Sequence, residues 1–118
     1  MKPEIKTLWL TALRSGEFEQ GRNALCETRR GVKEYCCLGV LTELAVRAGV
    51  GRWTLALERH GFVAADEDSN RAETGLLHDA IAHWSHLSDS SDRQHLMDMN
   101  DFHGNTFGEI ADWIEKNL

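Results

Sequence analysis

The sequence predicts a single, mainly α domain of about five helices, compact, with room for one small β-hairpin over residues 53–65. Three observations lead there. A chain of 118 residues has the size of one ordinary domain. Apolar residues recur at i, i+3, i+4 and i+7 in several separate stretches, the spacing of a helix face turned to a core. One proline, ten glycines and 42% apolar residues exclude a disordered or collagenous chain.

The first helix is read over Pro3–Ser15, where Ile5, Leu8, Trp9, Ala12 and Leu13 share one face. Pro3 suits the first turn, where its missing N–H costs nothing, and Gly16 can take the left-handed conformation that ends a helix. Residues 16–31 show no period and read as loop or short irregular helix, anchored by Phe18 and Leu25. A second, largely buried helix is expected over Tyr35–Ala48, stopped by Gly49. The short runs Trp53–Leu57 and Phe62–Ala65, separated by Glu58–Gly61, either pair as the hairpin or begin with a helical turn. Residues 66–74 are polar and read as a surface loop.

Leu77, Ala80, Ile81 and Trp84 place a helix over residues 76–86, and Asp89–Met99 forms a further short one. The turn-forming run Asn100–Asn105 ends it. Thr106 and Glu109 make a capping box for a last helix over 107–117, whose inner face carries Phe107, Ile110, Ala111, Ile114 and Leu118. The expected centre is the Cys37–Ala48 helix, packed by the first and last helices.

Charge is unevenly placed within the overall −6. Residues 1–59 hold ten Lys/Arg and seven Asp/Glu, residues 60–118 three and twelve, so the second half carries −9. An acidic half disfavours direct contact with a nucleic-acid backbone, where cations must replace counterions. Either the halves pack on each other and their fields partly cancel, or the acids form an interaction face. No apolar run is long enough to span a bilayer and the first residues lack the apolar stretch of a signal peptide, so no membrane association and a cytosolic location are expected. Three cysteines, two adjacent, fit a reducing compartment better than a disulfide framework.

Cys36 and Cys37 offer the one candidate nucleophile. They stand at the start of the second helix, where the backbone's partial positive charge favours a thiolate. A cysteine hydrolase or transferase would also need an imidazole and an orienting group, for which His103 with Asn100 or Asp101 are the candidates. The competing reading makes both cysteines small apolar core residues, with Gly39 admitting the close approach of another helix. His83 and His86 lie three apart on one helix, with His78, His95 and Cys26 as further donors, yet no metal-site spacing is present. Neither metal nor cofactor is expected. Trp9 and Trp84 lie on apolar stripes and read as core. Trp113, flanked by Asp112 and Glu115, reads as an interface residue or as one at the core's edge.

Several blocks together resemble a family. They are Leu13-Arg-Ser-Gly16, Gln20-Gly-Arg22, Tyr35-Cys-Cys-Leu-Gly-Val-Leu41, the helix ending in Trp84, and Met99-Asn-Asp101 followed by Thr106-Phe107 and Glu109-Ile-Ala-Asp112. In these the chain resembles small uncharacterised proteins of tailed bacteriophages and prophages. It departs from that pattern at Thr42, where a third cysteine is common, and at Leu77, where a proline often opens the tryptophan helix. The resemblance implies a phage context, inside the bacterial host, and no particular chemistry. The expected function is therefore that of a non-enzymatic accessory protein binding a host or phage macromolecule, or a second copy of itself. The surface expected to do this is acidic, with Trp113, Asp112, Glu115, His83 and His86 as the contact residues.

Overall fold

The computed structural model describes residues 1–56 and 59–118; Leu57 and Glu58, within the expected hairpin, lie outside the described residues. The elements run α1 (Pro3–Arg14), β1 (Glu19–Gln20), β2 (Cys26–Arg29), β3 (Val32–Tyr35), α2 (Cys37–Arg47), β4 (Gly51–Ala56), β5 (Arg59–Ala64), a 3₁₀ turn (Ser69–Arg71), α3 (Asp79–Ser85), α4 (Ser90–Asp101) and α5 (Phe107–Asn117). The strands form one mixed sheet in the order β1-β3-β2-β5-β4, with β1 parallel to β3 and the remaining pairs antiparallel. The domain is thus α+β, and the expected mainly α class is overturned.

The reason lies in residues 16–35. Their strands are only two to four residues long, too short to show an alternating pattern. The β2–β3 hairpin turns on Arg30 and Gly31, both at positive φ (52° and 78°), in the two-residue connection that right-handed strand twist favours. The usual sequence mark of such a turn is Asn-Gly or Asp-Gly, and arginine in the first place hides it. Tyr35, expected in a helix, ends β3, and Cys36 caps α2. The expected hairpin over 53–65 exists as β4 and β5, built into the larger sheet.

The helices follow the apolar stripes except at Leu8, expected on the inner face of the first helix and exposed in the fold. α1 buries Ile5, Trp9, Ala12 and Leu13, and α5 buries Phe107, Ile110, Ala111 and Ile114 behind a complete Thr106–Glu109 capping box. α2 is enclosed along most of its circumference and packs on α1, α3, α4 and the sheet. The last helix packs chiefly on α1 and on α4. Trp9, wholly buried, donates its indole N–H to the Cys37 carbonyl at 3.0 Å, pinning α1 to the first turn of α2. Phe18 and Leu25 are buried as core anchors, whereas Trp84 is only partly buried. Gly39 has a different neighbour from the expected helix: a Cβ built there would lie 1.7 Å from the Leu25 carbonyl oxygen, so α2 packs directly on the backbone leading into β2. Among the described residues no helix is long and apolar enough to cross a membrane.

Candidate functional site

Three of the sequence blocks converge on one buried polar joint. At its centre is Asn100, wholly buried near the end of α4, which runs two residues beyond the stop expected at Met99. The Asn100 Oδ1 accepts from Gln20 Nε2 at 2.9 Å and from the Cys37 backbone N–H at 3.2 Å. Its Nδ2 donates to the Gly21 carbonyl at 2.8 Å and to Asp101 Oδ1 at 2.9 Å. A carboxamide offers two donors and two acceptor positions, and all are used.

Gln20 extends the joint. Its Nε2 also donates to the Asn105 carbonyl at 2.8 Å, and its Oε1 accepts from the Phe107 N–H at 3.1 Å, at the start of α5. Asp101 Oδ1 accepts in addition from the N–H of Asn23 at 3.1 Å, a residue held at φ 65°. One network therefore fixes β1, the 20–23 loop, the start of α2, the end of α4 and the start of α5. In a low-dielectric interior such a network specifies geometry strongly only when every member is paired. Among the described residues, no buried side-chain nitrogen or oxygen lacks a partner.

The paired cysteines sit against this joint and face inward. The Cys36 Sγ accepts from the Gly39 N–H at 3.3 Å as the cap of α2, and the Cys37 Sγ donates to the Leu96 carbonyl at 3.5 Å. Both residues are buried, and burial pushes the Cys36 thiol up to about 12. The Gly39 N–H at the helix start pulls the other way and loses to desolvation. Cys37 is raised well above its ordinary value by burial, then by the neighbouring Cys36 and Asp101. Asn100 and Asp101, proposed orienting groups, are brought to the cysteines. His103 is exposed, and among the described residues no hydrogen bond joins either sulfur to an imidazole. Burial thus favours the neutral thiols, and among the described residues neither sulfur is paired with a base.

Residues 1–118 match the family described as "Domain of unknown function (DUF8296)". The chain belongs to this family. No curated protein and no solved structure matches it.

The other residues singled out in the DUF8296 sequence lie apart from the joint. Asp112 and Glu115 accept from Arg14 of α1 at 2.8 and 3.1 Å, so two acids of the second half pair with a base of the first. Trp113 is partly buried, its ring 4.8 Å from that of His95. His83 and His86 are exposed on α3 and at its left-handed C-cap. Among the described residues no three His, Cys, Asp or Glu side chains are placed to hold a metal ion.

A different part of the DUF8296 domain gathers acid. The Glu67 carboxylate meets His78 at 2.6 Å, which sets the turn Asp66-Glu67-Asp68 beside His78 and Asp79. Asp66, Asp68 and Asp79 are exposed and belong to none of the ion pairs among the described residues. Asp79 also borders an open cleft of about 250 Å³ between the approach to α3 and the Ser90/Arg93/Gln94/Met97 face of α4. Leu76 and Leu77 form its apolar side, and Leu76 is 54% exposed. Sequence reading found the acids and missed the grouping, because the bond between Glu67 and His78 spans eleven positions of loop and turn.

Proposed function

We propose that this domain is a non-enzymatic binding protein that engages a basic protein partner through its acidic side, centred on Asp66, Asp68 and Asp79 and the adjoining cleft. The phage or prophage setting and the host cytoplasm, implied by the resemblance of its motifs, belong to the same proposal. One observation supports it above the others: Asp79, an exposed carboxylate outside the ion pairs, borders an open cleft with an exposed leucine, and the Glu67–His78 contact holds the turn carrying the exposed Asp66 and Asp68 beside the residue that precedes Asp79. Apolar contact rimmed by charge is the composition of a protein interface. The inward-facing thiols count against the cysteine-hydrolase alternative. Of the contact residues first expected, Asp112 and Glu115 pair with Arg14 and Trp113 is partly buried beside His95, while His83 and His86 are exposed; the proposed surface is centred instead on residues 66–79, where exposed carboxylates lie outside the ion pairs.

Selection of binding peptides from a random library tests the reading. The enriched sequences are expected to carry net positive charge and to bind more weakly as salt rises. Their affinity is expected to fall about tenfold or more when Asp66, Asp68 and Asp79 are all changed to lysine. Ligands of no net charge, or affinity indifferent to the triple reversal, would remove the acidic side from the account.

A further inference from the structure

His78 joins the sheet to α3 through both nitrogens of one ring. The Nδ1 accepts from the Ala80 N–H at 3.0 Å and so caps α3, while the Nε2 lies 2.6 Å from Glu67 Oε1. An accepting Nδ1 leaves the proton of a neutral ring on Nε2, which therefore donates to the carboxylate. The same Glu67 oxygen accepts from the Ala64 N–H at 3.0 Å, at the end of β5. A single carboxylate oxygen and a single imidazole thus connect β5 to the first turn of a helix only seven residues long. The Phe62 ring stands edge-on to the imidazole at 5.1 Å between centroids and limits its freedom to turn.

Charged groups reach the imidazole and its partner from neighbouring elements. Glu67 approaches from the turn after β5, Arg71 of the 3₁₀ turn acts on Glu67, and Asp79 follows in the first turn of α3. The Glu67 carboxyl is held below its ordinary range, chiefly by the Ala64 N–H and then by His78 and Arg71. It stays ionised through the pH interval in which imidazoles ordinarily exchange their second proton.

We propose that His78 is a proton-operated latch. A proton taken from solvent onto Nδ1 turns that atom from acceptor to donor, so the ring keeps Glu67 and must release the Ala80 N–H. The first turn of α3 then loses its cap while the tie to the sheet persists as an ion pair. Helix α3 is capped above the transition and loosened below it. Leu77 and Asp79, which line the cleft, lie on either side of the latch. The inference does not depend on what the cleft binds.

Nitrogen-15 spectra of the imidazoles, together with amide exchange at Ala80 corrected for its intrinsic pH dependence, test the latch in the whole chain. At pH 8 the His78 ring is expected as the Nε2–H tautomer. On lowering the pH toward 5.5, exchange at Ala80 is expected to rise about fivefold, the equivalent of a typical lost cap, with the midpoint of the His78 titration. In His78→Asn, which caps through a side-chain oxygen and does not titrate, the step is expected to vanish. A Nδ1–H tautomer at pH 8, or a step that survives in His78→Asn, would overturn the proposal.

Discussion

Asn100→Ala will destabilise the domain by roughly 3–4 kcal/mol, a large part of the 5–15 kcal/mol that ordinarily holds a domain folded. The substitution removes four hydrogen bonds at once and leaves the Cys37 N–H and the Gly21 carbonyl without their partners in the interior. The cost comes mainly from these stranded groups, since replacing a bonded pair in water is nearly neutral whereas leaving one half buried and unpaired is not. The melting temperature should fall by at least about 10 °C. Asn100→Asp should be similarly damaging despite its near-identical shape, because it has no donors for Gly21 and places a carboxylate against Asp101. Asn70→Ala, at an exposed position, should change stability by less than about 0.5 kcal/mol. If Asn100→Ala melted with the parent chain, the joint would not be a structural hub.

Gly39→Ala should be at least as severe, about 3 kcal/mol or more, or leave no folded protein. The added Cβ would lie 1.7 Å from the Leu25 carbonyl oxygen and 2.7 Å from its carbon, both backbone atoms. That carbonyl also accepts from the Cys36 N–H at 3.3 Å, so it cannot step aside without breaking the bond that holds β2's approach to α2. Gly75→Ala, where a Cβ meets nothing within 4 Å, supplies the contrast and should lie within about 0.5 kcal/mol of the parent. Urea unfolding of the two variants checks the difference. Equal midpoints would mean that α2 can shift off the strand at little cost.

What the sequence made legible was whatever repeats locally. The stripes of α1 and α5 and the Thr106 capping box are written within a few residues, and these two helices start and stop within one residue of their expected limits, whereas α3 starts three residues later than expected. Of the sheet only the β4–β5 hairpin was legible, because β1, β2 and β3 are short and the Arg30-Gly31 turn lacks the residue that normally announces it. The joint was half legible. Asn100, Asp101 and the cysteines stood out as residue types, but their grouping depends on Gln20, eighty positions from Asn100 in the chain. No local pattern marks a lone glutamine as the partner of a distant asparagine. The same holds for charge: the sequence showed an acidic half, and only the fold distinguishes Asp112 and Glu115, paired to Arg14, from Asp66, Asp68 and Asp79. Acid also serves local backbone, as with Asp68 capping the 3₁₀ turn through the Asn70 N–H, Asp89 at the cap of α4 and Glu73 accepting from the Gly75 and Leu76 N–H groups.

The adjacent cysteines are interior parts of a structural joint, and the proposed binding role rests on that. Timed alkylation of the native chain with iodoacetamide at neutral pH, read by mass spectrometry at each cysteine, tests this most directly. Cys36 and Cys37 should remain unmodified until the chain is unfolded by denaturant, because burial keeps both as neutral thiols. Rapid modification of either one in the folded protein, faster than a free cysteine at the same pH, would contradict the account and make that sulfur the site to pursue.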